Sequence, residues 1–82
     1  MRFRKKPVVI EAVQWNGNWS EMLRFVVAQG GAAHTEGDLL LIQTLEGKMV
    51  ARPGWWIIRG VKGEFYPCEP EIFEETYEPA RT

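Results

Sequence analysis

The chain has 82 residues, 45% of them hydrophobic, with 10 Lys plus Arg against 11 Asp plus Glu. This length predicts one domain over residues 1–82 with a small core, and such a domain often gains burial by self-association, so a homo-oligomer is expected. A net charge of −1 argues against duplex nucleic acid as a partner, since that binding draws on many cation–phosphate contacts.

The single cysteine excludes an internal disulfide. No apolar run is long enough for a signal peptide or a membrane span, which predicts a cytoplasmic protein that does not contact a membrane.

The first part of the chain predicts a strand followed by a helix. Residues 8–15 form a β-branched run with a period of two, which is typical of a strand. Asn18 and Glu21 have the spacing of a capping box, so a helix is expected from about Trp19 to Gln29, ended by two glycines. Its apolar stripe would consist of Trp19, Met22, Leu23, Val26 and Val27.

The rest of the chain predicts short strands separated by turns. Residues 32–35 read as a short extended piece, and the unbroken apolar run at residues 39–44 predicts a central strand covered on both faces. Turns at residues 45–48, 53–54 and 60–63 separate further strands at 49–52, 55–59 and 64–67.

Two prolines mark the end of the strand region. Residues 67–70 are expected to break the ladder, because a proline has no N–H to donate, and Pro70 is placed to open a short helix. The predicted class is α+β: a curved, mainly antiparallel sheet of five or six strands with one full helix and one short helical turn.

The run from Pro53 to Tyr77 concentrates aromatic side chains and cations on one predicted hairpin. Because side chains alternate along a strand, Trp55 and Trp56 point to opposite faces, so one of them is expected to face a pocket, a partner subunit or water. An indole beside Arg59 and Lys62 could stack on a planar base and hold its phosphates. The predicted ligand-binding residues are Trp15, Arg52, Trp55, Trp56, Arg59, Lys62 and Tyr66.

The same side chains fit a different interpretation. Aromatics and arginine are also the residues that protein interfaces use, so the hairpin could form an oligomer contact or a protein-binding surface, or one Trp could enter the core while its neighbour lies on the sheet.

Catalytic and metal chemistry have little support in the sequence. His34 and Cys68 are the only residues of their kinds and lack an evident third group to orient a nucleophile. A lone histidine with scattered glutamates has no metal-ligand spacing, and Glu71 and Glu75 are best explained as a solvated helix face. We therefore expect no catalytic residues, no metal and no cofactor, and a protein that is not an enzyme.

Three segments of the chain carry a family resemblance. KKPVVIEAVQW at residues 5–15, TLEG at 44–47 and PGWWIIRGVKGEFYPCEPEIFEETYE at 53–78 resemble a family of small phage and prophage proteins, most of which have no assigned activity. Members commonly carry Asp after the Pro-Gly pair, where this chain has Trp55.

The resemblance implies a phage protein acting in the cytoplasm of an infected bacterium. By analogy with small phage proteins that oppose host defence, it implies a non-enzymatic protein that sequesters a nucleotide-derived immune signal, either an ADP-ribose derivative or a cyclic oligonucleotide. The alternative is a protein–protein inhibitor of a host factor or a virion-associated interaction module.

Overall fold

The computed structural model describes residues 1–3 and 8–80. Its strands are β1 (Glu11–Gln14), β2 (Ala33–Glu36), β3 (Leu39–Thr44), β4 (Gly47–Ala51), β5 (Trp56–Arg59) and β6 (Phe65–Cys68). Its helices are α1 (Trp19–Phe25) and α2 (Pro70–Thr76), with a 3-10 turn at Val27–Gln29.

The strands form two antiparallel sheets of three strands each. Sheet 1 has the order β1-β5-β6 and sheet 2 the order β2-β3-β4. The α+β class and the antiparallel pairing are confirmed, whereas the expectation of one continuous sheet is wrong.

The turn at Pro53-Gly54 explains why there are two sheets. Gly54 has φ +94°, a left-handed conformation that glycine adopts without strain. Its N–H donates to the Trp15 carbonyl at 2.7 Å, and the Trp15 N–H donates to the Trp55 carbonyl at 2.7 Å. The chain that leaves β4 is thereby attached to β1, so β5 extends sheet 1 instead of sheet 2.

Helix α1 begins as predicted and ends early. The Asn18 side chain accepts a hydrogen bond from the Glu21 N–H at 3.2 Å, which confirms the cap. The helix stops at Phe25, and Gly30, at φ +95°, closes the 3-10 turn that follows. The predicted stripe is partly wrong, because Phe25 is buried while Leu23 is 45% exposed.

One core joins the two sheets and α1. Phe65 of β6 packs edge-on against Phe25 with ring centroids 5.7 Å apart. Gly31 passes close to the end of α1 and to β6, since a Cβ there would lie 2.7 Å from Val26 Cγ1 and 2.8 Å from Phe65 Cδ2. The buried core comprises Trp15, Met22, Phe25, Val26, Leu40, Ile42, Ala51, Ile57 and Phe65.

Most strand boundaries differ by one or two residues from the predicted ones, and those of β1 and β6 have a clear physical reason. β1 begins at Glu11 and not at Val8, because Glu11 lies opposite Arg59, where β5 ends. β6 runs through Pro67 to Cys68; it is an edge strand paired with β5 alone among the described residues, so the missing N–H is tolerated. The basic residues 4–6 of the chain start lie outside the described part.

Candidate functional site

Trp15, a predicted wall of the binding pocket, belongs to the core. Its side chain is 2% exposed, and its indole Nε1–H donates to the Asp38 carbonyl at 3.0 Å. The N–H is satisfied and the ring is enclosed, so Trp15 offers no surface to a ligand.

The two adjacent tryptophans lie on opposite sides of sheet 1, as strand alternation predicts. Trp55 is half-buried and packs against the core. Trp56 is also half-buried, and its ring stacks on Phe73 of α2 with centroids 4.2 Å apart and an interplanar angle of 9°. The stacking face that a base would need is occupied on that side by the chain itself.

Arg59 is separated from the Trp56 ring by the strand backbone. Its Nη1 lies 3.5 Å from Glu11 Oε1, a distance at the weak end of hydrogen bonding. Its Nε is buried and has no acceptor within residues 1–3 and 8–80. The guanidinium is therefore only partly satisfied by the described residues.

Lys62 and Arg52, the other predicted cations, lie apart from each other. Lys62 is exposed in the turn between β5 and β6, and its backbone N–H donates to Glu64 Oε2 at 3.0 Å. The Glu64 carboxylate packs so closely on Gly60 that no larger residue would fit there without a shift. Arg52 is exposed at the end of β4, and its carbonyl accepts from the Trp55 N–H at 3.0 Å.

Tyr66 and Cys68 lie on the α2 side of sheet 1, and the pKa of each is raised. Burial, followed by the hydrogen bond and charge of Tyr77 and then by Glu64, raises the pKa of Tyr66 to about 12. Burial and then Glu69 raise the pKa of the Cys68 thiol above its usual value. A thiol that stays protonated is a poor nucleophile.

A concave feature of the described residues lies away from most of these side chains. It is an open groove of about 320 Å³ between the β3–β4 turn and β6, which we call the hairpin groove. Its lining consists of Thr44, Leu45, Glu46, Met49, Glu64, Phe65, Tyr66 and Pro67. Tyr66 alone among the predicted site residues reaches it.

The hairpin groove is apolar with an acidic rim. Leu45 is 83% exposed and Met49 38% exposed, whereas Phe65 forms a nearly buried floor at 5%. Among residues 1–3 and 8–80, its charged lining consists of two carboxylates, from Glu46 and Glu64, and contains no cation. Such a lining disfavours a phosphate and suits an apolar group that carries a positive charge.

Sequence reasoning missed this groove because its two sides, the β3–β4 turn and β6, are distant in sequence. Thr44 Oγ1 donates to the Gly47 carbonyl at 2.7 Å and accepts from the Glu46 N–H at 3.0 Å, which fixes the first turn and projects Leu45. A leucine in a tight turn is the one local signal, since turns favour polar residues.

Comparisons with protein-family models, curated proteins and solved structures find no match for this chain. Within residues 1–3 and 8–80, no group of three or more His, Cys, Asp or Glu side chains is placed to hold a metal ion. No helix of the described part is long and apolar enough to cross a membrane.

Proposed function

We propose that this chain is a non-enzymatic binding protein that recognises a protein partner through the hairpin groove. The observation that carries the proposal is an open apolar cleft with an exposed Leu45 at its rim and carboxylates as its charged lining. The resemblance to phage proteins suggests a host factor in the bacterial cytoplasm as the partner, which the protein would inhibit by occupying its surface.

The packing of the groove suits a protein side chain better than a planar base. Leu45 and Met49 present exposed aliphatic carbon, and Phe65 forms the floor beneath them. An apolar anchor inserted there would displace water from Leu45 and Met49, and burial of this kind gives interface hot spots most of their free energy. The partner therefore presents a Leu-, Met- or Phe-like side chain.

The charges of the groove indicate which residue of the partner lies beside its apolar anchor. Glu46 is exposed, while Glu64 already accepts a hydrogen bond from the Lys62 N–H at 3.0 Å. Glu46 is thus the carboxylate with more capacity for a cation, so we expect a Lys or Arg beside the anchor. Recognition is by side chains, because Pro67 removes an N–H from β6 that strand addition would use.

Affinity capture from the host with matched variants tests this function. Leu45→Lys/Met49→Lys places two charges in the groove, and Val61→Lys, at a 68% exposed position in another turn, is the control. A specific partner should bind the wild type and Val61→Lys equally and bind the groove variant at least about tenfold more weakly. Equal binding by the wild type and both variants, or no specific partner at all, contradicts the proposal.

A second candidate function is capture of a nucleotide-derived signal near Arg59. Its support is the Arg59 side chain, which is 36% exposed and makes one weak contact, to Glu11 at 3.5 Å, among the described residues, so its guanidinium could hydrogen-bond a phosphate oxygen. Calorimetry with ADP-ribose and a cyclic dinucleotide tests it: Arg59→Gln should weaken binding, while Arg24→Gln, which removes an exposed cation from α1, should not. Absence of heat from the wild type would exclude this candidate for those ligands.

A further inference from the structure

The side of sheet 2 that faces away from the core is apolar at its centre. Strand register places His34, Leu41 and Val50 in one row across β2, β3 and β4. Leu40 and Ile42 point inward and are 0% and 1% exposed. Leu41 therefore points outward, because side chains alternate along a strand.

This outer face, centred on Leu39, Leu41 and Val50, is partly exposed in residues 1–3 and 8–80, with Leu39 and Leu41 half-buried. Val50 is 43% exposed, and the His34 side chain beside it is 50% exposed. The unbroken apolar sequence of β3 is typical of a strand covered on both sides, yet the core covers only one side. A second surface that packs on the outer face would complete the pattern.

Charged residues occupy the corners of the outer face. Glu36 lies at the β2 edge, opposite Leu39. Arg52 directly follows Ala51, the last residue of β4, which pairs with Leu40 and points inward. Because side chains alternate along an extended chain, the exposed Arg52 is expected on the outer side at the β4 edge, next to Leu39. Lys48 lies on the same edge at the other end, opposite Gln43. From β2 to β4, the row at Leu39 therefore contains an acidic residue (Glu36), a leucine (Leu39) and a basic residue (Arg52).

We propose that the outer face docks on the outer face of a second copy of this chain, with the two-fold axis parallel to β3. In that arrangement β2 of each copy lies over β4 of the other. Leu41 meets Leu41 of the second copy at the centre, and Glu36 meets Arg52 of the second copy twice. Both the apolar centre and the corner charges are then self-complementary.

The charges select this arrangement over the other two-fold docking of the same faces. An axis in the interface but perpendicular to β3 would place Lys48 over Arg52 of the second copy, twice, and leave Glu36 without a cation. Like charges opposed across an interface suppress that geometry. Three short strands form a small interface, so we expect a weak dimer whose population depends on protein concentration.

Sedimentation velocity over a range of protein concentrations tests the dimer and its geometry. The wild type should pass from monomer to dimer, and Leu41→Lys should raise the dissociation constant at least about tenfold. Glu36→Arg alone should weaken the dimer, and Glu36→Arg/Arg52→Glu should restore it, because the double exchange re-forms both pairs. Glu36 and Arg52, the two positions of exchanged charge, are both exposed, so these variants report on docking even where Leu41→Lys misfolds.

The controls separate this inference from the proposed function. Val61→Lys and the groove variant Leu45→Lys/Met49→Lys lie off the outer face and should dimerise as the wild type does. A wild type that stays monomeric at all concentrations overturns the proposal. A dimer whose dissociation constant is unchanged by Leu41→Lys also overturns it. If Glu36→Arg/Arg52→Glu does not restore association, the proposed axis is wrong.

Discussion

The Tyr66 hydroxyl, on sheet 1, has a raised pKa and loses its proton only in strong base. Burial and the hydrogen bond from Tyr66 to Tyr77 raise the pKa of Tyr66 from 10.0 to about 12. Below pH 10 the tyrosine is neutral in both folded and unfolded chains and its contribution to stability is fully present. Between pH 10 and about 12 the unfolded chain loses the proton first, so the folded state is progressively destabilised.

Titration by the ultraviolet absorbance of tyrosinate measures this shift, since the chain has two tyrosines. We expect Tyr77→Phe to leave Tyr66 with a pKa above 10.0 but below that of the wild type, because burial remains while the hydrogen bond is lost. Tyr66→Phe assigns the Tyr77 signal and serves as the control. A Tyr66 that titrates at the ordinary value in the wild type would show that α2 does not cover it.

At the scale of secondary-structure elements, local chemistry made some features predictable. Asn18 caps α1 and Pro70 opens α2 where the sequence places them, because each effect involves only neighbouring residues. The hairpin of β3 and β4 follows equally from an apolar run, a glycine turn and a returning strand.

The division into two sheets was not predictable in this way. It depends on the hydrogen bonds that join Trp15 to Gly54 and Trp55, which are far from it in sequence. The length of β1 could not be predicted from its own sequence either, because β1 begins opposite Arg59, where β5 ends. Pairing between distant segments has no local sequence signature.

The candidate site shows the same limit. Strand alternation correctly separates Trp55 from Trp56, but the residues that cover each face come from elsewhere in the chain. Phe73 of α2 covers Trp56, and Glu11 approaches Arg59 across 48 residues. The aromatic and cationic cluster that composition suggests is thus divided between two sides of one sheet.

At the scale of the whole molecule, the two sheets share one core. Leu40 and Ile42 come from sheet 2, Ile57 and Phe65 from sheet 1, and Trp15 lies between them at 2% exposure. Neither sheet has three long strands or a second apolar layer of its own, so neither is stable without the other. We therefore expect the chain to unfold in a single cooperative transition.

Leu40→Ala tests that expectation, because Leu40 is 0% exposed and contributes to the shared core from sheet 2. The cavity should lower the free energy of unfolding by about 2–5 kcal/mol. Circular dichroism follows both sheets, and tryptophan fluorescence follows Trp15 at their junction together with Trp19, Trp55 and Trp56. The two signals should shift together. Leu23→Ala, at a 45% exposed helix position, should cost less than about 1 kcal/mol. If the dichroism of Leu40→Ala fell in two steps while the fluorescence changed in only one, sheet 2 would be melting by itself, and the shared core could not be what holds the molecule together.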